Sequence, residues 1–185
     1  MTTSTRTRAG GGGVATASHL VRRFFGSLRP GGPGPADSAW AEGWLLPGEV
    51  ALWRCMSGAD RRHAVGVARG AQEALGPRAT RPVLAAALLH DVGKVDSGLG
   101  PVRRAVATLA GLAAGHDAAV RWRRRGGAWG RVGRYLCHDE IGATMLAAAG
   151  SDGLTVAWAR QHHLPSARWS VPADIGEALK AADDD

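Results

Sequence analysis

The chain is short of cysteine, small aromatics and lysine. Its 185 residues include two Cys, one Tyr and two Phe, and among 23 basic residues only Lys94 and Lys180 are lysine. Cys55 and Cys137 alone build no disulfide framework, so a reducing, cytoplasmic setting is the expectation. No apolar run approaches the roughly 18 residues that a membrane span needs. The opening MTTSTRTRAGGGG has no apolar h-region, so no secretory signal is expected. There is no Gly-X-Y period and no sustained heptad, which excludes collagen and coiled coil. Residues 1–36 contain no acid, against five arginines (Arg6, Arg8, Arg22, Arg23 and Arg29).

What is present suffices for one domain and a short appendage. Hydrophobic residues make up 45% and charged residues 21%, enough to bury a core. The formal net charge is +7, yet residues 37–185 hold 18 basic and 16 acidic groups, so most of the excess sits in the tail. A second basic block runs from Arg121 to Arg134, with six arginines and no acid. Either block suits a phosphate-bearing partner, and a solvated surface is the plainer reading.

Residues 1–16 are Thr/Arg/Gly-rich and of low complexity. Residues 18–29 place Leu20, Val21, Phe24, Phe25 and Leu28 at helical spacing, which predicts a short amphipathic helix for the core or a membrane surface. The stretch 30–38, PGGPGPADS, reads as a linker, so the expected domain spans 39–185. Within it the apolar spacing is helical. Pro47 opens a helix to Met56. Asp60 N-caps one to Leu75, which Gly76-Pro77 closes. Pro82 opens VLAAALLHDVG, apolar nearly all round and therefore central. Further helices are expected over 101–114, 130–149 (one long or two short), 152–162 and from Pro172 to the chain end, with an Arg-rich loop after 114. No strand pattern stands out. The expectation is an all-α bundle of six or seven helices.

Histidine carries the chemistry. Of seven, His19 lies in the tail and His116 beside a basic loop, and neither has a site-like setting. His-Asp occurs three times, at 90–91, 116–117 and 138–139, so the dipeptide alone says little. Context singles out His90-Asp91, because an imidazole and a carboxylate ending a buried helix must both be satisfied, and a divalent metal does so. His63 sits on the apolar side of its helix, His138 begins HDEIGA, His162-His163 end another helix, and Ala181-Ala182-Asp183 sets a carboxylate behind an apolar stretch.

The order His63, His90-Asp91-Val92-Gly93-Lys94, His138-Asp-Glu-Ile-Gly-Ala, His162-His163, Asp183 resembles the HD-domain superfamily of metal-dependent phosphohydrolases. It is most similar to the branch that includes HD-GYP phosphodiesterases, over about residues 50–185. The resemblance implies an HD-domain-like helical bundle with one or two ions. The implied ligands are His63, His90, Asp91, His138, His162, His163 and Asp183, with Asp91 bridging and Lys94 on the substrate phosphate. Asp183 is preferred to Asp184 on the Ala-Asp resemblance alone. After His162-His163 the chain reads LPSARWSVP, so no Gly-Tyr-Pro is present and cyclic di-GMP hydrolysis lacks its motif.

Five imidazoles with two carboxylates suit divalent Fe, Mn, Co, Ni or Zn better than Mg or Ca, and exceed what one ion takes from protein. The expected activity is hydrolysis of a phosphate ester or nucleotide by metal-activated water. Asp91 and Lys94 are the candidate catalytic residues, and Arg121 and Arg131 candidate contacts to a polyanionic substrate. The alternative is a non-catalytic metal- or nucleotide-binding module whose basic tail meets nucleic acid or an acidic partner. Trp169 is read as packing or a base-stacking surface, Cys137 as a small buried residue, and Glu140 as either a support for a ligating His or a surface acid.

Overall fold

The computed structural model describes residues 31–184. The basic tail and the amphipathic segment 18–29 lie outside the described residues. Ten α-helices run in order: α1 Pro35–Gly43, α2 Pro47–Cys55, α3 Gly58–Leu75, α4 Arg81–Leu89, α5 Pro101–Ala114, α6 His116–Arg123, α7 Gly127–Leu136, α8 His138–Ala148, α9 Gly153–Gln161 and α10 Ala173–Asp184. Short 3-10 turns cover Gly76–Arg78, Val92–Ser97 and Ser166–Arg168. No strand occurs among the described residues, so the fold class is all-α as expected.

The expected count of six or seven is corrected to ten, for three local reasons. The linker is partly helical: Pro35 takes the first turn of α1, where its missing N–H costs nothing, and α1 crosses the expected boundary at 38–39. The Arg-rich stretch expected as a loop contains α6. And 130–149 is two helices, broken where Cys137 leaves helical geometry between α7 and α8.

Helix α4 is the axis of the bundle. Val83 through Leu89 are all buried, because RPVLAAALL offers no polar face. Its fully buried leucines Leu84, Leu88 and Leu89 each contribute about 1.5–3 kcal/mol. Helices α2, α3 and α9 pack around it, α10 lies on α3, and α8 lies on α9. Trp53, Trp158, Leu146 and Leu179 complete one core. Helix α3 starts at Ser57 rather than Asp60. The Ser57 hydroxyl accepts the Asp60 backbone N–H at 3.1 Å and donates to its carboxylate at 2.7 Å, so Asp60 sits inside the first turn.

Two glycine contacts set the geometry of the second half. A Cβ on Gly93 would lie 2.6 Å from the Gly142 nitrogen and 2.8 Å from the His138 carbonyl carbon. Bare backbone on both sides is therefore what brings the Val92–Ser97 turn against the start of α8. Gly130 and Gly133 do the same for α7, whose backbone lies on that of α6 and the loop after it, folding the Arg-rich stretch into a helical hairpin.

Candidate metal centre

Three helix C-termini deliver the central imidazoles. His90 caps the end of α4, His162 the end of α9, and His138 follows the end of α7. The last turn of a helix leaves carbonyls without intrahelical partners. His90 Nδ1 lies 2.9 Å from the Ala87 carbonyl, His138 Nδ1 2.8 Å from that of Tyr135, and His162 Nδ1 3.1 Å from that of Ala159. This geometry makes Nδ1 the donor in each ring and turns each Nε2 inward, the orientation that a ligating histidine requires.

The Nε2 atoms converge on Asp91, itself 4% exposed. Its Oδ2 lies 3.3 Å from His90 Nε2, and its Oδ1 lies 3.2 Å from His138 Nε2 and 3.7 Å from His162 Nε2. On the His90 side, Asp183 Oδ1 stands 2.9 Å from His63 Nε2 and 3.5 Å from His90 Nε2. On the other side, His163 Nε2 is 3.3 Å from His138 Nε2, and the His163 residue is exposed at the rim. Two donor groups result, Asp91/His138/His162/His163 and His63/His90/Asp183, each with its donor atoms within 4.8 Å of one another. All seven expected ligands are thus together. Asp183, not Asp184, faces the cluster: Asp184 is exposed and accepts from Lys180 at 2.7 Å.

The electrostatics follow from crowding two carboxylates with imidazoles away from water. Burial pulls the His90 imidazole down, but the neighbouring Asp91 and Asp183 carboxylates outweigh it and hold its pKa up to about 10. Burial disfavours the Asp91 carboxylate, yet Lys94 and His90 hold it well below the usual range. Lys94 pairs directly with Asp91 Oδ2, which raises the ammonium pKa against its own burial. His162 is pushed down by burial. His163 is pushed down by loss of solvent around its ring and then by the adjacent His162 and His138.

The donor set suits a divalent cation. His90 Nε2, Asp91 Oδ1 and His162 Nε2 are buried without a hydrogen-bond partner, and all three point into the same space. A cation satisfies such atoms, whereas leaving each alone costs about 1–3 kcal/mol. Buried His/Asp groups able to hold a metal ion are therefore present.

The remaining expected residues divide. Arg121 and Arg131 are exposed on α6 and α7, and neither shares a hydrogen bond or ion pair with the cluster among the described residues. Glu140 is exposed and makes no hydrogen bond to a cluster imidazole. Trp169 is a packing residue: its Nε1 donates to the Gln161 and Leu164 carbonyls at 3.0 Å, and its ring meets Trp158 edge-on at 5.3 Å. Cys137 is buried and its thiol pKa is pushed up, as for an inert apolar residue.

Sequence reasoning missed Tyr135, whose ring stacks on His138 at 5.8 Å and whose carbonyl fixes the His138 tautomer. The available signal was the single tyrosine of the chain, three residues before a ligand-type histidine. No protein-family model, no curated protein and no solved structure matches the chain.

Proposed function

We propose that the chain is a metal-dependent phosphohydrolase of the HD type, acting on a phosphate ester such as a nucleotide or a related phosphomono- or diester. The placement of Asp91 carries this reading. Its two carboxylate oxygens face opposite donor groups, as a residue shared between two ions must. The first ion would be held by His63, His90 and Asp183, the second by His138, His162 and His163, with Asp91 common to both. Imidazole–carboxylate ligation favours Fe, Mn, Co, Ni or Zn. When bound, such ions supply Lewis acidity and lower the pKa of a water towards neutrality.

The chain's own groups do the rest. The carbonyls of Ala87, Tyr135 and Ala159 lock three rings before substrate arrives, so little reorganisation is left for the reaction. Lys94, tethered to Asp91, places a compact positive charge beside the donor atoms, where it offsets charge on phosphoryl oxygens. His163, at the rim, stands where substrate enters. Arg121 and Arg131, exposed on α6 and α7, add no support to this reading.

The test is metal analysis of protein purified without chelator, then turnover of phosphomonoesters, phosphodiesters and nucleotides with Mn, Fe, Co and Ni. Wild type and Asp91→Ala are compared, with circular dichroism to confirm that both fold. The expected result is bound transition metal and turnover in wild type, and loss of both in the variant. Equal turnover in the two proteins overturns the proposal.

A further inference from the structure

Helix α5 is built inside out. The residues it turns to the protein are small: Ala107 is buried, and a Cβ on Gly111 would press into Leu136. Its large residues face water, with Val102 59%, Val106 62%, Leu109 67% and Leu112 79% exposed. They form one stripe along a helix of about 21 Å. Nothing among the described residues covers it. A stripe of this kind ordinarily marks a binding surface.

The charge around the stripe is one-sided. Residues 97–138 hold eight arginines against one acid, Asp117; Arg104 is turned inward onto Asp60 and Arg134 pairs with Asp96, which leaves six, while residues 37–96 and 139–185 together hold 10 basic and 15 acidic groups. Val102 and Val106 share a groove of about 730 Å³ with Arg103, Arg131 and Arg134, so apolar and basic residues occupy the same face. Trp129, 52% exposed, lies on α7 within the arginine run and packs at 4.8 Å on Trp122.

We propose that this face binds the surface of an anionic lipid bilayer. Aliphatic side chains beside Arg103 and Arg131 are what an interfacial helix needs: the apolar groups enter the acyl boundary and the guanidinium groups pair with lipid phosphates. Charge excludes two other occupants. Residues 18–29 carry Arg22, Arg23 and Arg29, and a second copy would bring the same arginines face to face; both meet like charge. A nucleic acid would leave the aliphatic stripe unused. No helix of the described residues is long and apolar enough to cross a membrane, so attachment is to the surface. This inference is independent of the metal chemistry.

The test is flotation of the full chain with phosphatidylcholine vesicles containing about 30% phosphatidylglycerol, and with phosphatidylcholine alone. Binding to the anionic vesicles is expected, at least about tenfold weaker on neutral vesicles and in about 0.5 M salt. Leu109→Glu/Leu112→Glu, at exposed positions with no packing role, weakens binding about a hundredfold with an unchanged thermal melt. Arg103→Glu/Arg131→Glu, in the groove beside Val102 and Val106, weakens it about thirtyfold or more. Three outcomes overturn the inference: no binding of wild type to anionic vesicles; wild-type binding by the Leu109/Leu112 variant; or a solution dimer abolished by that variant, which assigns the face to a second copy.

Discussion

Replacing Gly93 by alanine sets a methyl carbon against the backbone that carries His138. That carbon would lie 2.6 Å from the Gly142 nitrogen and 2.8 Å from the His138 carbonyl carbon, with the His138 carbonyl oxygen closer still. Ordinary contact begins at 3.4 Å, so the Val92–Ser97 turn and α8 must separate by about 0.8 Å or more. No flexible side chain can yield, because every crowded atom is backbone. Overpacking of this kind costs about 1–3 kcal/mol. At this chain length each kcal/mol lowers Tm by about 2–4 °C, which sets an expected fall of about 2–12 °C, in the upper half because backbone must move. The displacement also exceeds the roughly 0.5 Å within which a site must be held, so Asp91 and His138 part and metal content falls. Gly142→Ala is the control: its methyl would meet Gly93 N at 3.0 Å and Val92 Cγ1 at 3.3 Å, a strain of about 1 kcal/mol at most. Thermal unfolding by circular dichroism and metal per chain by mass spectrometry read both effects. A Gly93→Ala protein that melts within about 1 °C of wild type with the same metal content, or a Gly142→Ala protein that suffers more, refutes the reasoning.

Chelator-treated protein has a pH profile of predictable sign. His90 has its pKa raised from 6.5 to about 10 in the fold, so its contribution is complete below pH 6.5 and drains away as pH rises through about 10. His162 is shifted the other way, so below about pH 6.5 the unfolded chain takes up protons that the fold refuses, and stability falls again. The chelated melt is therefore highest near neutrality, and a Tm constant between about pH 5 and pH 9 excludes this assignment. Arg104→Ala removes the guanidinium that holds Asp60 at 2.7 and 2.8 Å between α5 and α3, a pair only 17% and 13% exposed. It leaves a nearly buried carboxylate with the Ser57 hydroxyl but no ion pair, at about 2 kcal/mol by urea unfolding; a loss below about 0.5 kcal/mol shows the pair to be inert.

Much of the fold was legible because local rules agree with the packing. The apolar run of α4, the prolines at the starts of α2, α4 and α5, and Asp152 before α9 all sit at or within a residue of where their chemistry predicts. The extra helices were missed for identifiable reasons. Helix α6 is eight residues, half of them charged or histidine, too short to show an apolar period, whereas α7 falls largely within the helical expectation for 130–149 and only its start at Gly127 was missed. They form because glycine lets their backbones touch, a tertiary effect with no local signature. Asp60 was misassigned as a cap because Ser57, followed by two small residues, carries the same signal three positions earlier.

The site was legible in identity and not in wiring. Motif order alone singles out His63, His90, Asp91, His138, His162, His163 and Asp183, and the fold gathers all seven. What no spacing rule reveals is that three of the imidazoles stand at helix ends. Each C-terminus offers a carbonyl that fixes Nδ1, and His138 in addition opens α8. Two carboxylates share the pocket: Lys94 pairs with Asp91, Lys180 stands 3.8 Å from Asp183 Oδ2, and His90 Nε2 lies 3.3 Å from Asp91 and 3.5 Å from Asp183. Against burial, those two carboxylates hold the His90 pKa up to about 10, and a divalent cation meets the same demand with more charge. Loading the site therefore has to expel the His90 proton. Metal titration below pH 10 in weakly buffered solution should acidify the medium, and an ion that binds the cluster without proton release contradicts the account of why the cluster exists.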